Sequence, residues 1–175
     1  MKKPGYVRTF EPLPTKPLTK RQVRQALASI WDEHSERVPA SYGASMKFGL
    51  SKNEDAKNFL RREIYALGLA LQAAPPTWNL AELVASVRAN PVTRPEPLEN
   101  QVFHALFMGV YDDDSQITRQ ERWLMTRELL YASRHNVPPR DLCGFLYQSG
   151  GRRNLLEKLT AGYIEPSFEV APIKG

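Results

Sequence analysis

SKNEDAKNFLRREIYALGLALQA, residues Ser51 to Ala73, decides the fold. It opens on a capping box, in which Ser51 can accept from the amide three residues on while Glu54 reaches back to the cap amide. Phe59, Leu60, Ile64, Leu67 and Leu71 then recur at helical spacing, and Pro75-Pro76 stops the run. The spacing predicts a helix over 52–73, the longest element of the chain. Its second half is apolar nearly all round, so other elements must cover it on every side. It is therefore expected at the centre of a helical bundle.

The flanking segments supply that cover. Thr19-Lys-Arg-Gln22 and Thr118-Arg-Gln-Glu121 repeat the capping box, and Asn79-Leu-Ala-Glu82 is a looser version. A helix over about 20–35 places Val23, Leu27, Ile30 and Trp31 on one face. A short helix over about 80–89 uses Leu80, Leu83, Val84 and Val87, and ends before Pro91. The stretch 91–97 holds three prolines and reads as a connector. Further helices are expected over 97–111 (Leu98, Val102, Phe103, Leu106, Val110) and 119–134 (Trp123, Leu124, Leu129, Leu130). Two more follow over 139–148, begun by Pro138-Pro139, and over 152–161, capped by Gly162. Trp123 is read as core, since a tryptophan on a helix is usually buried. Met46, Phe48 and Leu50 alternate with Ser45, Lys47 and Gly49, a strand-like period read here as an extended loop that buries three side chains.

The fold class is all-α: a single-domain bundle of six or seven helices over 19–162. An extended, basic, Pro-rich arm (1–18) precedes it and an irregular tail (163–175) follows. A chain of 175 residues suits one domain with a real core. Cys143 is the only cysteine, which excludes an internal disulfide or a cysteine-built zinc site and points to a reducing, cytoplasmic setting. No apolar run approaches membrane-spanning length, and the basic N-terminus has no apolar stretch behind it, so neither a membrane anchor nor a secretory signal is expected.

Charge is unevenly placed. Residues 1–24 carry seven bases against Glu11, residues 25–115 carry twelve acids against eight bases, and residues 116–158 carry eight bases against four acids. Seven of those last eight bases are arginine, which forks onto phosphate and stacks on bases. Such a distribution suits an anionic partner.

The sharpest candidate is Ser149-Gly-Gly-Arg-Arg153, between two helices. Gly150 and Gly151 would let the backbone approach a ligand, and amides at a helix start favour phosphate. Arg152 and Arg153 are misplaced on dipole grounds unless an anion joins them. Arg119, Arg122, Arg127, Arg134 and Arg140 lie nearby in sequence, with Trp123 and Tyr147 among them as stacking candidates, although core is the preferred reading of Trp123. Lys20, Arg21 and Arg24 form a second basic patch. Helices 139–148 and 152–161 fit a helix-turn-helix poorly, because neither Gly144 with Asn154 nor Phe145 with Leu155 meets both of its packing requirements. Asp112-Asp-Asp114 lacks the alternation and the glycine of a calcium loop, and reads as an acidic loop before the Thr118 cap. His34, His104 and His135 are scattered, with His34 read as a surface residue at a helix end and no nucleophile motif beside any of them.

Residues 98–161 resemble the α-helical small subunit of Cascade-type CRISPR effector complexes. The resemblance is carried by Glu99-Asn-Gln-Val-Phe-His-Ala-Leu-Phe-Met-Gly-Val-Tyr-Asp112, by Val137-Pro-Pro-Arg-Asp-Leu-Cys-Gly-Phe-Leu-Tyr-Gln148, and by Arg152 to Ile164 as a closing helix. The arginine-bearing segment between the first two blocks is abbreviated here, and the first 50 residues have no counterpart. The resemblance implies a non-catalytic subunit that steadies nucleic acid through basic side chains. Leu18 to Leu27 is also similar to one helix of ProQ/FinO-type RNA chaperones, without the preceding half of that domain.

The expectation is a non-enzymatic nucleic-acid-associated protein, a subunit of a nucleoprotein complex with other protein subunits. It would contact the phosphate backbone through Arg152, Arg153, Gly150, Gly151, Lys20, Arg21, Arg24, Arg119, Arg122 and Arg140, and need no metal or cofactor. The alternative is a helical adaptor that binds an acidic protein through its arm and Arg-rich face.

Overall fold

A computed structural model describes residues 13–44, 56–88, 101–111 and 116–168. Among them lie seven α-helices and no strand: α1 (Lys20–Ala44), α2 (Ala56–Ala73), α3 (Leu80–Val87), α4 (Val102–Val110), α5 (Arg119–Arg134), α6 (Leu142–Gln148) and α7 (Gly151–Ala161). The sequence features at Met46–Leu50, Ser51–Glu54, Pro91–Pro97 and Asp112–Asp114 lie outside the described residues, as does most of the N-terminal arm.

α2 is the central helix. Phe59, Leu60, Ile64, Tyr65, Leu67 and Ala70 are fully buried, and α1, α4, α5 and α6 all pack on it. Gly68 makes the α2–α4 crossing close: a Cβ there would run into the Phe103 ring. Phe103 stacks on Tyr65 with centroids 5.7 Å apart, and the Tyr65 hydroxyl donates to the Val137 carbonyl at 2.8 Å. That bond ties the chain leading into α6 to the middle of the core.

The caps form where the sequence places them. The Gln22 amide donates to Thr19 Oγ1 (3.2 Å) and the Thr19 amide to Gln22 Oε1 (2.8 Å), a complete capping box. Asn79 accepts from the amides of Ala81 and Glu82, and Thr118 accepts from Glu121. Gly162 ends α7 in the left-handed region (φ 70°), and Pro139 opens a short 3-10 turn that runs into α6.

Several expectations change. α1 continues past residue 35, where the Arg37–Glu33 pair at 2.9 Å spans one further turn, so that α1, with 25 residues against 18 in α2, is the longest described helix. His34 is therefore mid-helix and buried, sharing a hydrogen bond with the Tyr111 hydroxyl, and is not a surface residue at a helix end. Trp31 and Trp123 are half-exposed, not core. Leu18, assigned to the arm, belongs to the core; it is buried, and its carbonyl accepts from Trp78 Nε1 at 2.9 Å. Residues 163–168 contain a 3-10 turn (Pro166–Phe168) and dock on α5 and α6, with the Phe168 ring edge-on to both His135 and Phe145.

Candidate nucleic-acid interface

The turn between α6 and α7 has the backbone its glycines predict. Gly150 (φ 96°) and Gly151 (φ 82°) are both left-handed, a conformation costly for residues with a Cβ. The Ser149 carbonyl accepts from Lys158 Nζ and the Gly150 carbonyl from Asn154 Nδ2, both at 3.0 Å.

The two arginines that follow part company. Arg152 turns inward: its Nε donates to Glu128 Oε1 at 2.8 Å and its Nη2 to Glu121 Oε1 at 3.3 Å. The other Glu128 oxygen takes Arg61 Nε at 2.7 Å, and Glu121 also takes Lys57 Nζ at 3.3 Å. Two carboxylates from α5 thus hold three cations from α2 and α7. Burial pushes the Glu121 carboxyl up, but the bonds and charges of Arg152 and Lys57 outweigh it and hold it below its ordinary value. Burial likewise opposes charge on Arg152, and Glu128 and Glu121 more than offset it. The conflict of a cation at a helix start is resolved here within the chain, without a bound anion. Arg153 instead projects into solvent, 92% exposed, with Glu157 at 3.7 Å.

α5 sorts its charges by side. Glu121 and Glu128 face α2 and α7. At about 100° per residue, Arg119, Trp123, Arg127 and Arg134 fall within roughly 80° of one another on a different side of the helix. Arg119 and Arg134 are exposed, and Trp123 is 44% exposed. The Arg127 guanidinium lies over the Trp123 ring, 4.9 Å from its centroid, and its Nη2 reaches Thr160 Oγ1 at 3.5 Å. Arg134 Nη1 donates to the Leu159 carbonyl at 3.1 Å, near the C-terminus of α7 where a cation is favoured. Arg122 does not join this stripe. It is buried, and its Nη1 donates to the Ile117 carbonyl at 2.7 Å, so it braces the start of α5.

The second patch opens α1. Lys20, Arg21 and Arg24 are exposed, the first turn holds no acid, and no acid occurs anywhere in 13–31. Arg24 Nη2 donates to Ser86 Oγ on α3 at 3.0 Å. Trp31, 48% exposed, lies on the same side as Lys20 and Arg24 by helical spacing. Arg140 is exposed beside Asp141 (3.6 Å), and Tyr147 is 87% exposed on α6.

The histidines are interior parts. His135 donates from Nδ1 to the Tyr131 carbonyl and accepts at Nε2 from the Glu165 amide, which fixes one neutral tautomer. His104 faces Thr126 Oγ1 at 3.4 Å. Among the described residues no three His, Cys, Asp or Glu side chains gather as a metal set, and no helix is long and apolar enough to cross a membrane. A shallow groove of about 470 Å³ between the end of α2, α3 and α4 is lined by Leu71, Pro75, Pro76 and Leu80, with only Gln72 and Asn79 as polar side chains.

Of the expected site, the structure exposes Arg153, Arg119, Arg140, Lys20, Arg21 and Arg24, and engages Arg152 and Arg122 internally. It adds Arg127, Arg134 and Trp123 as one aligned stripe. The spacing 119, 123, 127 was a readable signal, but the expectation of a buried Trp123 hid it. No family model, curated protein or solved structure matches the chain.

Proposed function

We propose that the protein is a non-enzymatic, nucleic-acid-associated subunit that holds a phosphate backbone through arginine and lysine. The observation that carries this reading is the sorting of charge on α5. Both its acids are consumed by Arg61, Lys57 and Arg152, so Arg119, Arg127 and Arg134 present positive potential on a stripe with no acid of their own helix. Arg153 extends that potential from α7; Arg152 supports it indirectly, by bracing the turn from which Arg153 projects. Lys20, Arg21 and Arg24 form the second contact. Binding proceeds by charge neutralisation with release of counterions, without base-edge readout. The resemblance of residues 98–161 to Cascade-type small subunits supports reading it as a subunit of a nucleoprotein assembly with other protein subunits.

The test is a salt series with DNA and RNA, each single- and double-stranded. Affinity should fall steeply as salt rises, with a log–log slope that counts the phosphates neutralised. Affinity insensitive to salt overturns the reading, and retention of an acidic protein with no nucleic-acid binding would favour the adaptor.

A further inference from the structure

Trp123 stands out on the α5 stripe. The bundle leaves nearly half of this tryptophan in water, one helical turn from an arginine on either side. Arg119 and Arg127 bracket it at about 6 Å of helix rise each way. Arg127 already lies over the indole, and its Nε is shut away without a hydrogen-bond partner, so ring stacking and the Thr160 contact hold it in place. The indole is thus held by its neighbours while part of its surface stays open.

We propose that Trp123 is a stacking platform for an unpaired nucleobase, which makes single-stranded nucleic acid the ligand of the α5 stripe. This rests on the phosphate-contact reading above and names its ligand class. A duplex keeps its base faces inside its own stack and offers an exposed indole nothing beyond phosphates. A single strand offers both: phosphates for Arg119 and Arg127, and a base face for the part of the indole that Arg127 leaves open. Charge complementarity selects a polyanion, and the exposed indole favours the single strand over the duplex. The acids of α5 are turned away, and Glu157, an acid on the adjoining α7, faces Arg153. Stacking of this kind tolerates any base, in keeping with a site that has no base-edge readers.

The experiment compares an oligothymidylate, an abasic strand of the same length and a duplex, by fluorescence anisotropy of labelled ligand. Trp123→Leu keeps apolar bulk without a stacking face, and Trp123→Phe keeps a ring. The wild type should bind the oligothymidylate more tightly than the abasic strand. Trp123→Leu should lose roughly ten- to a hundredfold in affinity for the oligothymidylate and leave the abasic strand unaffected, while Trp123→Phe retains most of the affinity. Equal binding of the thymidylate and abasic strands, or an unchanged affinity in Trp123→Leu, overturns the stacking inference and leaves the phosphate reading standing. Absence of salt-dependent binding to all three ligands overturns the phosphate reading and this inference together.

Discussion

Arg152 and Glu128 meet at 2.8 Å across the α5–α7 contact, with Arg61 on the other oxygen of the same carboxylate. Glu128 is 8% exposed and Arg152 32%. The pair fastens the last helix to the centre of the bundle, so the effects of the two neighbouring arginines should separate. Arg152→Ala should cost about 1–2 kcal/mol of stability, less than a fully buried pair because Arg152 is partly solvated. Arg153→Ala should change stability by less than about 0.5 kcal/mol and weaken nucleic-acid binding alike for all sequences. Urea unfolding and a binding titration on both variants check this. An Arg152→Ala variant of unchanged stability would remove the bracing role.

Acid should unfold the protein in two stages. Burial lowers the His34 pKa from 6.5 to about 4. A neutral buried imidazole means that the unfolded chain takes up the proton first as pH falls. Stability from this group is complete above pH 6.5 and declines down to about pH 4, by about 3 kcal/mol in all. Glu121 and Glu165 are held below 4.5, so their contribution is present above that pH and lost beneath it. Unfolding free energies across pH 7.0 to 4.5 should therefore fall in the wild type and flatten in His34→Gln, whatever the starting stability of the variant. Parallel slopes would show that His34 does not carry the first stage.

What could be read from the sequence followed from how local its cause was. Thr19, Asn79 and Thr118 cap helices through amides two or three residues away, so the residues alone suffice to place them. The central position of α2 was equally legible, because an all-round apolar helix has no other place to go. Which side of an amphipathic helix faces out is a different matter. Trp31 and Trp123 were misplaced because their faces are set by how the neighbouring helices pack, and His34 because α1 runs on past it. The partners of Arg152 lie 24 and 31 residues away, so no local pattern could show that its charge was already answered. The candidate site was legible as a composition of arginines and its alignment as the spacing 119, 123, 127, but that this side of α5 faces out was settled only by how the helix packs.

Gly68 sets the distance between α2 and α4. In an exposed helix, Gly→Ala would gain about 1 kcal/mol of propensity. Here the added methyl meets Phe103, which is itself stacked on Tyr65 and cannot swing away without breaking that contact. Overpacking of this kind costs about 1–3 kcal/mol, so the net effect of Gly68→Ala should be destabilising. The double variant Gly68→Ala, Phe103→Leu should recover part of the loss relative to the sum of the singles, measured by chemical denaturation. Strict additivity would mean that the methyl and the ring do not compete for the same space.

The segment after Gly162 should behave as part of the domain. Glu165 Oε1 accepts from Lys158 Nζ at 2.6 Å and from the Tyr131 hydroxyl at 2.8 Å, and its amide donates to His135 Nε2 at 2.9 Å. Phe168 covers His135 and Phe145. Ending the chain at Gly162 strips the buried His135 and Tyr131 of these partners and uncovers the Phe145 ring. Unmade bonds at buried groups cost about 1–3 kcal/mol each, with some returned as water reaches them. A total loss of about 2–4 kcal/mol should lower the Tm by roughly 5–15 °C for a domain of this size. Glu165→Ala should reproduce part of that shift while leaving Phe168 in the chain. A truncated protein that melts with the full-length one would show that the segment rests on the surface without stabilising it.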